Sequence, residues 1–278
     1  MLIGRLADPR LLVVGLAMGL LVSCASGQEE EPVHLVFIER PVASIYNRAL
    51  DMLNDGNYRM AALFFDEVER QHPYSTWARR SMLFSAYSYY EANKYEEAIN
   101  ATNRFISLHP GNEHVSYAYY LQAICYYEQI TDVGRDQDAT RKASEALREV
   151  MRRFPRSEYA KDAKLKLDMT RDHLAGKEMD VGRFYQSQHK YVAAINRFNN
   201  VVKKFETTSH TPEALHRLTE TYLAMGVDDE ALAVTAVLGH NYPGSKWYAR
   251  SYALLQKKDL QPKAEDKSWL ARKFGSVL

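Results

Sequence analysis

Few side chains in this sequence are spaced to make or break a bond. Its nine histidines are scattered, and its two cysteines stand at positions 24 and 125. None of them forms the His-Glu-x-x-His or Cys-x-x-Cys spacing that ligates zinc or exchanges thiols, and no Gly-x-Ser-x-Gly or P-loop stretch presents a nucleophile or cradles a phosphate. His72 and His109 each precede a proline at the same offset of a recurring segment, which reads as a cap on a helix end rather than a metal ligand. The carboxylates fall mostly on polar helix faces or in loops. No catalytic residue, metal site or cofactor is expected, and no enzyme. What stands out chemically is one thiol, Cys24, a row of tyrosines, and one arginine out of its pattern, Arg197.

Cys24 closes a segment built as a secretion signal. Arg5 and Arg10 form its basic start, Leu11 to Val22 a short apolar run, and Leu21-Val22-Ser23-Cys24 its end. That tetrad resembles a bacterial lipobox, which implies removal of residues 1–23 and an acylated Cys24 as the new N-terminus. The alternative is a plain signal peptide that happens to contain a cysteine. Ala25 stands where an Asp would resemble an inner-membrane retention signal, so the expected place is the outer membrane, lipid-anchored and facing the periplasm. Several acyl chains, at about 0.8 kcal/mol per buried methylene, hold a protein on a bilayer without a spanning helix. Past the N-terminus no run of eighteen apolar residues occurs. Cys125, between Ile124 and Tyr126 on an apolar helix face, reads as a buried thiol without a disulfide partner.

The elements that position these groups come from a recurring skeleton: an aromatic, Ala three residues on, an apolar residue at ten, an aromatic or His at fourteen, and Pro at fifteen. It reads Tyr95, Ala98, Phe105, His109, Pro110 and again Tyr58, Ala61, Val68, His72, Pro73. It persists as Thr140, Ala143, Val150, Phe154, Pro155, as Tyr191, Ala194, Val201, Phe205 with Glu206 in place of proline, and as Asp228, Ala231, Leu238, Tyr242, Pro243. The spacing is helical, the Ala lets a second helix approach, and Pro ends the element. A small residue nine before the Tyr position with an aromatic three later (Ala86 and Tyr89, Gly182 and Tyr185, Thr219 and Tyr222) supplies a preceding helix. The pattern resembles the tetratricopeptide (TPR) repeat, whose period is about 34 residues; the intervals between positions 58, 95, 140, 191 and 228 are 37, 45, 51 and 37. The expected fold is all-α, a superhelical solenoid of five divergent TPR-like helix-turn-helix repeats with a C-terminal capping helix.

With 46% hydrophobic residues and a net charge of +1, the chain has the composition of a globular protein with a large core and not of a general nucleic-acid binder. Residues 24–41 read as a tether, with an acidic part at 29–31 and an apolar patch Val33 to Ile38 that docks on its own domain or a partner. The repeats occupy 42–258, and 259–278 form a basic tail with a short amphipathic piece near Trp269, Leu270 and Phe274. Ser75, Ser157 and Ser245, each two residues after a proline, are placed to cap the next helix, as is Asn112. Eight extra residues, Thr131 to Asp138, should form a polar loop. A helix beginning at Ser157 should run towards Tyr185 and be the longest, with Gly176 the candidate kink.

In TPR solenoids the first helix of each unit lines a groove, through positions 2, 5, 9 and 12. Carried over by count, these are Ala43, Tyr46, Leu50, Leu53, then Arg80, Leu83, Tyr87, Tyr90, then Tyr117, Tyr120, Ile124, Tyr127. The fourth unit gives Gly176, Met179, Arg183, Gln186 and the fifth Glu213, His216, Glu220, Leu223, so the lining turns from aromatic to polar. Tyr46, Tyr87, Tyr90, Tyr117, Tyr120 and Tyr127 suit an extended peptide with aromatic side chains; equally, the tether or a tighter curvature covers them. Arg197 stands six after the fourth Tyr position, where the other units have Phe64, Ala101, Ala146 and Val234. A pattern broken once by a charge marks a candidate contact, against the alternative of a rotated helix that leaves the arginine solvated.

Taken together, the lipobox, the five units, the Pro-x-Ser linkers, Arg135-Asp136, Phe154 to Tyr159 and Val192 to Arg197 resemble the ComL family of outer-membrane β-barrel assembly lipoproteins over about residues 24–258. The departure is Glu206 and the loop to His210, where the family shows Tyr-Pro. The resemblance implies a non-enzymatic scaffold that binds BamA through its last POTRA domain, with Arg197 on the half that meets BamA. It further implies contacts with other Bam lipoproteins, receipt of unfolded β-barrel precursors, and no nucleic acid. The rival reading is a TPR lipoprotein acting as a pilotin or envelope-complex assembly scaffold.

Overall fold

The computed structural model describes residues 40–132 and 135–260, and every regular element among them is helical. The helices are α1 (Val42–Asn54), α2 (Tyr58–Gln71), α3 (Thr76–Glu91), α4 (Tyr95–Leu108), α5 (Val115–Glu128), α6 (Asp138–Arg153), α7 (Glu158–Ser187), α8 (Tyr191–Lys204), α9 (Thr211–Met225), α10 (Asp228–Asn241) and α11 (Lys246–Gln256). The expectations for the signal segment, Cys24, the tether up to residue 39 and the tail past Leu260 lie outside the described residues.

The repeat positions sit where their residue types demand. Ala61, Ala98, Ala143, Ala194 and Ala231 are all completely buried, as are Val68, Phe105, Val150, Val201 and Leu238 seven residues later. The alanines let the helices of a pair meet closely, and the larger residues fill the space between pairs. At Gly182 the pair packs so tightly that a Cβ there would collide with the Phe198 ring. The residue at fourteen closes each second helix, with φ between −126° and −135° at His72, His109, Phe154, Phe205 and Tyr242. His72 also bonds the Arg40 carbonyl through Nε2 at 2.7 Å, and His109 meets the Phe105 ring edge at 5.5 Å.

Within four of the pairs the turn is one device. Gly56, Asn93, His189 and Gly226 all have φ between 55° and 75°, and the residue after each donates its N–H back into the first helix, to Met52, Tyr89, Tyr185 and Tyr222. This left-handed termination satisfies the last carbonyls of the helix. The third pair has an insertion instead. There the buried Gln137 organises the loop, donating to the Arg135 carbonyl at 3.1 Å and accepting from Thr140 Oγ1 at 3.0 Å, and α6 begins at Asp138.

The serine caps form as expected: Ser75, Ser157 and Ser245 accept from the N–H of Ala78, Ala160 and Trp247 at 3.0, 3.3 and 3.2 Å. Asn112 does not cap α5; its Oδ1 accepts from His114 N–H at 2.9 Å, and α5 starts only at Val115. An Asx-type bond two residues on favours a turn over a helix start. Where Glu206 replaces the proline, the linker is held by side chains: Thr208 and Thr211 donate to the Phe205 carbonyl, and Ser209 bonds Asp172 of α7 through both N–H (3.0 Å) and Oγ (2.8 Å).

α7 is the longest helix, 30 residues, and is unbroken through the buried Gly176. Its first half packs on α5 and α6, its second on α8 and α9. α7 thus joins the third unit, through its first half, to its own second helix and the fifth unit, through its second.

Candidate functional site

Among the described residues, the first helices α1, α3, α5, α7, α9 and α11 each touch the next in the series, while α2, α4, α6 and α8 touch only the first helices beside them. The first helices therefore form one continuous layer, and a side chain leaving that layer outward lines a shared surface.

The structure separates the six candidate tyrosines. Tyr46 is core rather than groove wall: it is 6% exposed, with the rings of Trp77, Phe65 and Phe84 at 4.6, 5.6 and 6.3 Å. The count of positions was sound, but Trp77 from the next linker lies on the ring and seals it. The other five are half-buried. Tyr87, Tyr90 and Tyr117 pack together over Ala86, Ala101 and Leu121. Tyr120 donates to Asp162 Oδ2 at 2.5 Å, and Tyr127 lies under Lys166, whose Nζ is 4.9 Å from the ring centre. Burial first, and for Tyr120 the neighbouring Asp162, push the hydroxyls of Tyr117 and Tyr120 far above their ordinary value. These groups stay neutral donors at any physiological pH.

Tyr159, which the position count missed, completes the row. It stacks on Tyr120 at 5.1 Å and lies 5.7 Å from Tyr117. Counting back from Tyr191 gave the fourth unit only the second half of α7, whereas the first half also faces the layer. The signal was the linker phrase itself: Trp77, Tyr159 and Trp247 share one place in it, and each lies on position 5 of the preceding first helix, Tyr46, Tyr120 and His216.

Beyond the middle of α7 the layer is charged. Arg183 bonds Glu213 at 3.0 Å and also Asp180; Arg217 bonds Glu220 at 2.9 Å and reaches Glu213 at 3.4 Å; Gln186 donates to Glu220 and Thr221. His216, 3% exposed, bridges Ser251 Oγ (Nδ1, 2.8 Å) and Glu220 Oε1 (Nε2, 3.3 Å). Burial would raise the Glu220 carboxyl, but the His216 hydrogen bond and charge, helped by Arg217, outweigh it and hold it down at about 2. Gly176 and Met179, counted as lining, are buried beneath this layer.

Arg197 finds a partner within the chain. Its Nη1 is 3.3 and 3.4 Å from the two carboxylate oxygens of Glu178 on α7, which also accepts from Asn200 at 3.2 Å. The arginine side chain remains 40% exposed. Cys125 is fully buried and free, and burial pushes its thiol up to about 12.

The sequence profile of the YfiO family, described as outer membrane lipoproteins, matches residues 39–238. The chain is 50% identical over 257 residues to the outer membrane protein assembly factor BamD of Caulobacter vibrioides, covering 92% of this chain and 84% of that one. To the protein of the same name in Rickettsia prowazekii it is 43% identical, covering 88% and 95%. Among solved structures it is similar to a TPR protein of Thermus thermophilus (18% identity, TM-score 0.36, covering 78% of this chain and all of that one) and to the P58(IPK) TPR domain (15%, TM-score 0.40, covering 78% and 57%). No described helix is long and apolar enough to cross a membrane. With a repeat skeleton whose alanine and larger apolar positions are buried as a TPR-like solenoid requires, a family profile matching residues 39–238 and a half-identical relative over 92% of its length, this chain belongs to the YfiO outer membrane lipoprotein family, the family of the BamD assembly factors.

Proposed function

We propose that the protein is an outer-membrane protein assembly factor: a non-enzymatic scaffold, anchored by an acylated Cys24, that receives unfolded β-barrel precursors and binds BamA through the last POTRA domain alongside other Bam lipoproteins. The observation that carries the reading is the row Tyr87, Tyr90, Tyr117, Tyr120, Tyr127 and Tyr159, half-buried on one helix layer. Such rings offer large contact area that is already ordered, with a hydroxyl at the tip, and suit an extended segment ending in an aromatic residue. Hot-spot rings of this kind contribute about 2 kcal/mol or more. Full-chain protein carrying Tyr87→Ala and Tyr120→Ala, with helicity checked by circular dichroism, should lose most of its affinity for an aromatic-ended barrel-strand peptide. Unchanged affinity removes the groove.

The partner half of the reading is tested by purifying the intact lipoprotein from membranes: BamA should accompany it, whereas a secretin would favour a pilotin. Cys24→Ala should move the protein to the soluble periplasmic fraction. For Arg197 the proposed contact is an exchange. The Glu178 pair is long and half exposed, so a POTRA carboxylate offering a bidentate geometry competes for the guanidinium. Arg197→Glu should weaken POTRA binding without loss of helicity, and equal binding would retire that contact.

A further inference from the structure

A cleft of about 300 Å³ opens between the starts of α5 and α7, lined by Glu113, His114, Ser116, Tyr117, Glu158 and Tyr159 among others. That volume is at the low end for small-ligand sites and fits one side chain rather than a folded element. Its walls are the rings of Tyr117 and Tyr159, inclined at 51° with centroids 5.7 Å apart. Tyr159 also stacks on Tyr120, so the cleft continues the tyrosine row. Its rim carries two exposed carboxylates, Glu113 and Glu158, and its lining includes no lysine or arginine. Aromatic faces and carboxylates both attract positive charge, and a guanidinium satisfies both at once by stacking on a ring and forking to an oxygen pair.

The repeat supplies an internal control. Trp247 occupies the place of Tyr159 in the last linker, and there the chain brings its own cations: Arg250, Lys246 and Arg217 stand 5.0, 5.2 and 6.0 Å from the ring. No cation of the described residues lies over the Tyr159 ring, and the charged side chains lining the cleft are Glu113, which His114 Nε2 approaches at 3.4 Å, and Glu158. We infer that the cleft between α5 and α7 is a subsite for a cationic side chain, arginine or lysine, of the extended segment bound along the tyrosine row. This rests on the groove reading above and adds a charge preference to it.

The test uses the full chain and a set of aromatic-ended strand peptides in which one arginine is moved residue by residue, each paired with its citrulline counterpart, followed by fluorescence anisotropy. At one register the arginine peptide should bind about fivefold tighter than citrulline, the size expected of a partly exposed cation–aromatic contact. Glu113→Gln with Glu158→Gln, both solvent-facing changes, should erase that preference while leaving the citrulline peptide's affinity in place. Equal binding of arginine and citrulline at every register overturns the subsite but leaves the groove. A preference that survives the double variant overturns this location for it. Failure of every peptide to bind overturns both readings.

Discussion

In the middle of the molecule Tyr159 lies on Tyr120, and near its end Trp247 lies on His216; the two pairs occupy one repeat slot and differ in what is left over. Tyr120 gives its hydroxyl to Asp162, and its ring stays half exposed. His216 has both ring nitrogens engaged, by Ser251 and Glu220, and is sealed from solvent. The first arrangement leaves aromatic area available to a partner; the second spends its polar groups within the chain. The same serine cap, Ser157 in one and Ser245 in the other, starts the helix that carries the covering ring, so at this slot the difference lies in the side chains.

The comparison is broken most forcefully from beneath. Phe65 and Phe198 stand at the same repeat position in the two halves and are both fully buried. Replacing either with Ala should cost about 3–5 kcal/mol in urea unfolding. With Phe198→Ala, lost amide-exchange protection should concentrate in α8 to α10 and spare α2 and α3; uniform loss would show that the halves do not share a foundation so much as a single fate.

A smaller effect separates the halves by pH. Because Glu220 is held at about 2, below the ordinary unfolded value of about 4.3, its contribution is complete above the unfolded value and disappears as pH falls through about 2. It is worth on the order of 2–3 kcal/mol. Glu220→Gln should lower stability at pH 6 and flatten its fall between pH 4.5 and 2, measured by denaturant midpoints. Asp172→Ala, which removes both bonds to Ser209, should cost about 1–2 kcal/mol and admit protease at residues 206–210. Tyr120→Phe should cost about 1 kcal/mol or less in the same denaturant midpoints and keep the stacked ring.

Much of this was legible in the sequence because buried repeat positions tolerate few residue types. Five alanines and five larger apolar residues at fixed offsets have one arrangement that buries all ten. The left-handed turns were legible too, as Gly56, Asn93, His189 and Gly226 each stand two residues before the next repeat start, but His189 hides the signal that Gly and Asn give plainly. Tyr46 could not be told from Tyr120 by position, since its burial depends on three rings, Trp77, Phe65 and Phe84, closing on it. Tyr159 escaped because the count back from Tyr191 reaches only the second half of α7, and Tyr159 stands in its first turn. Arg197 broke its pattern for a reason that pattern alone does not contain: the carboxylate of Glu178 waits across the helix pair.

α7 also acts as a screw thread between the two chemistries. Each residue of an α-helix advances the chain about 1.5 Å and turns it about 100°. One residue added near Asp172 would leave Tyr159 facing the aromatic row while swinging Arg183 and Gln186 a quarter-turn and more away from Glu213 and Glu220. Surface loops absorb such length changes, but this helix cannot: its residue count fixes the phase at which an aromatic face becomes a charged one.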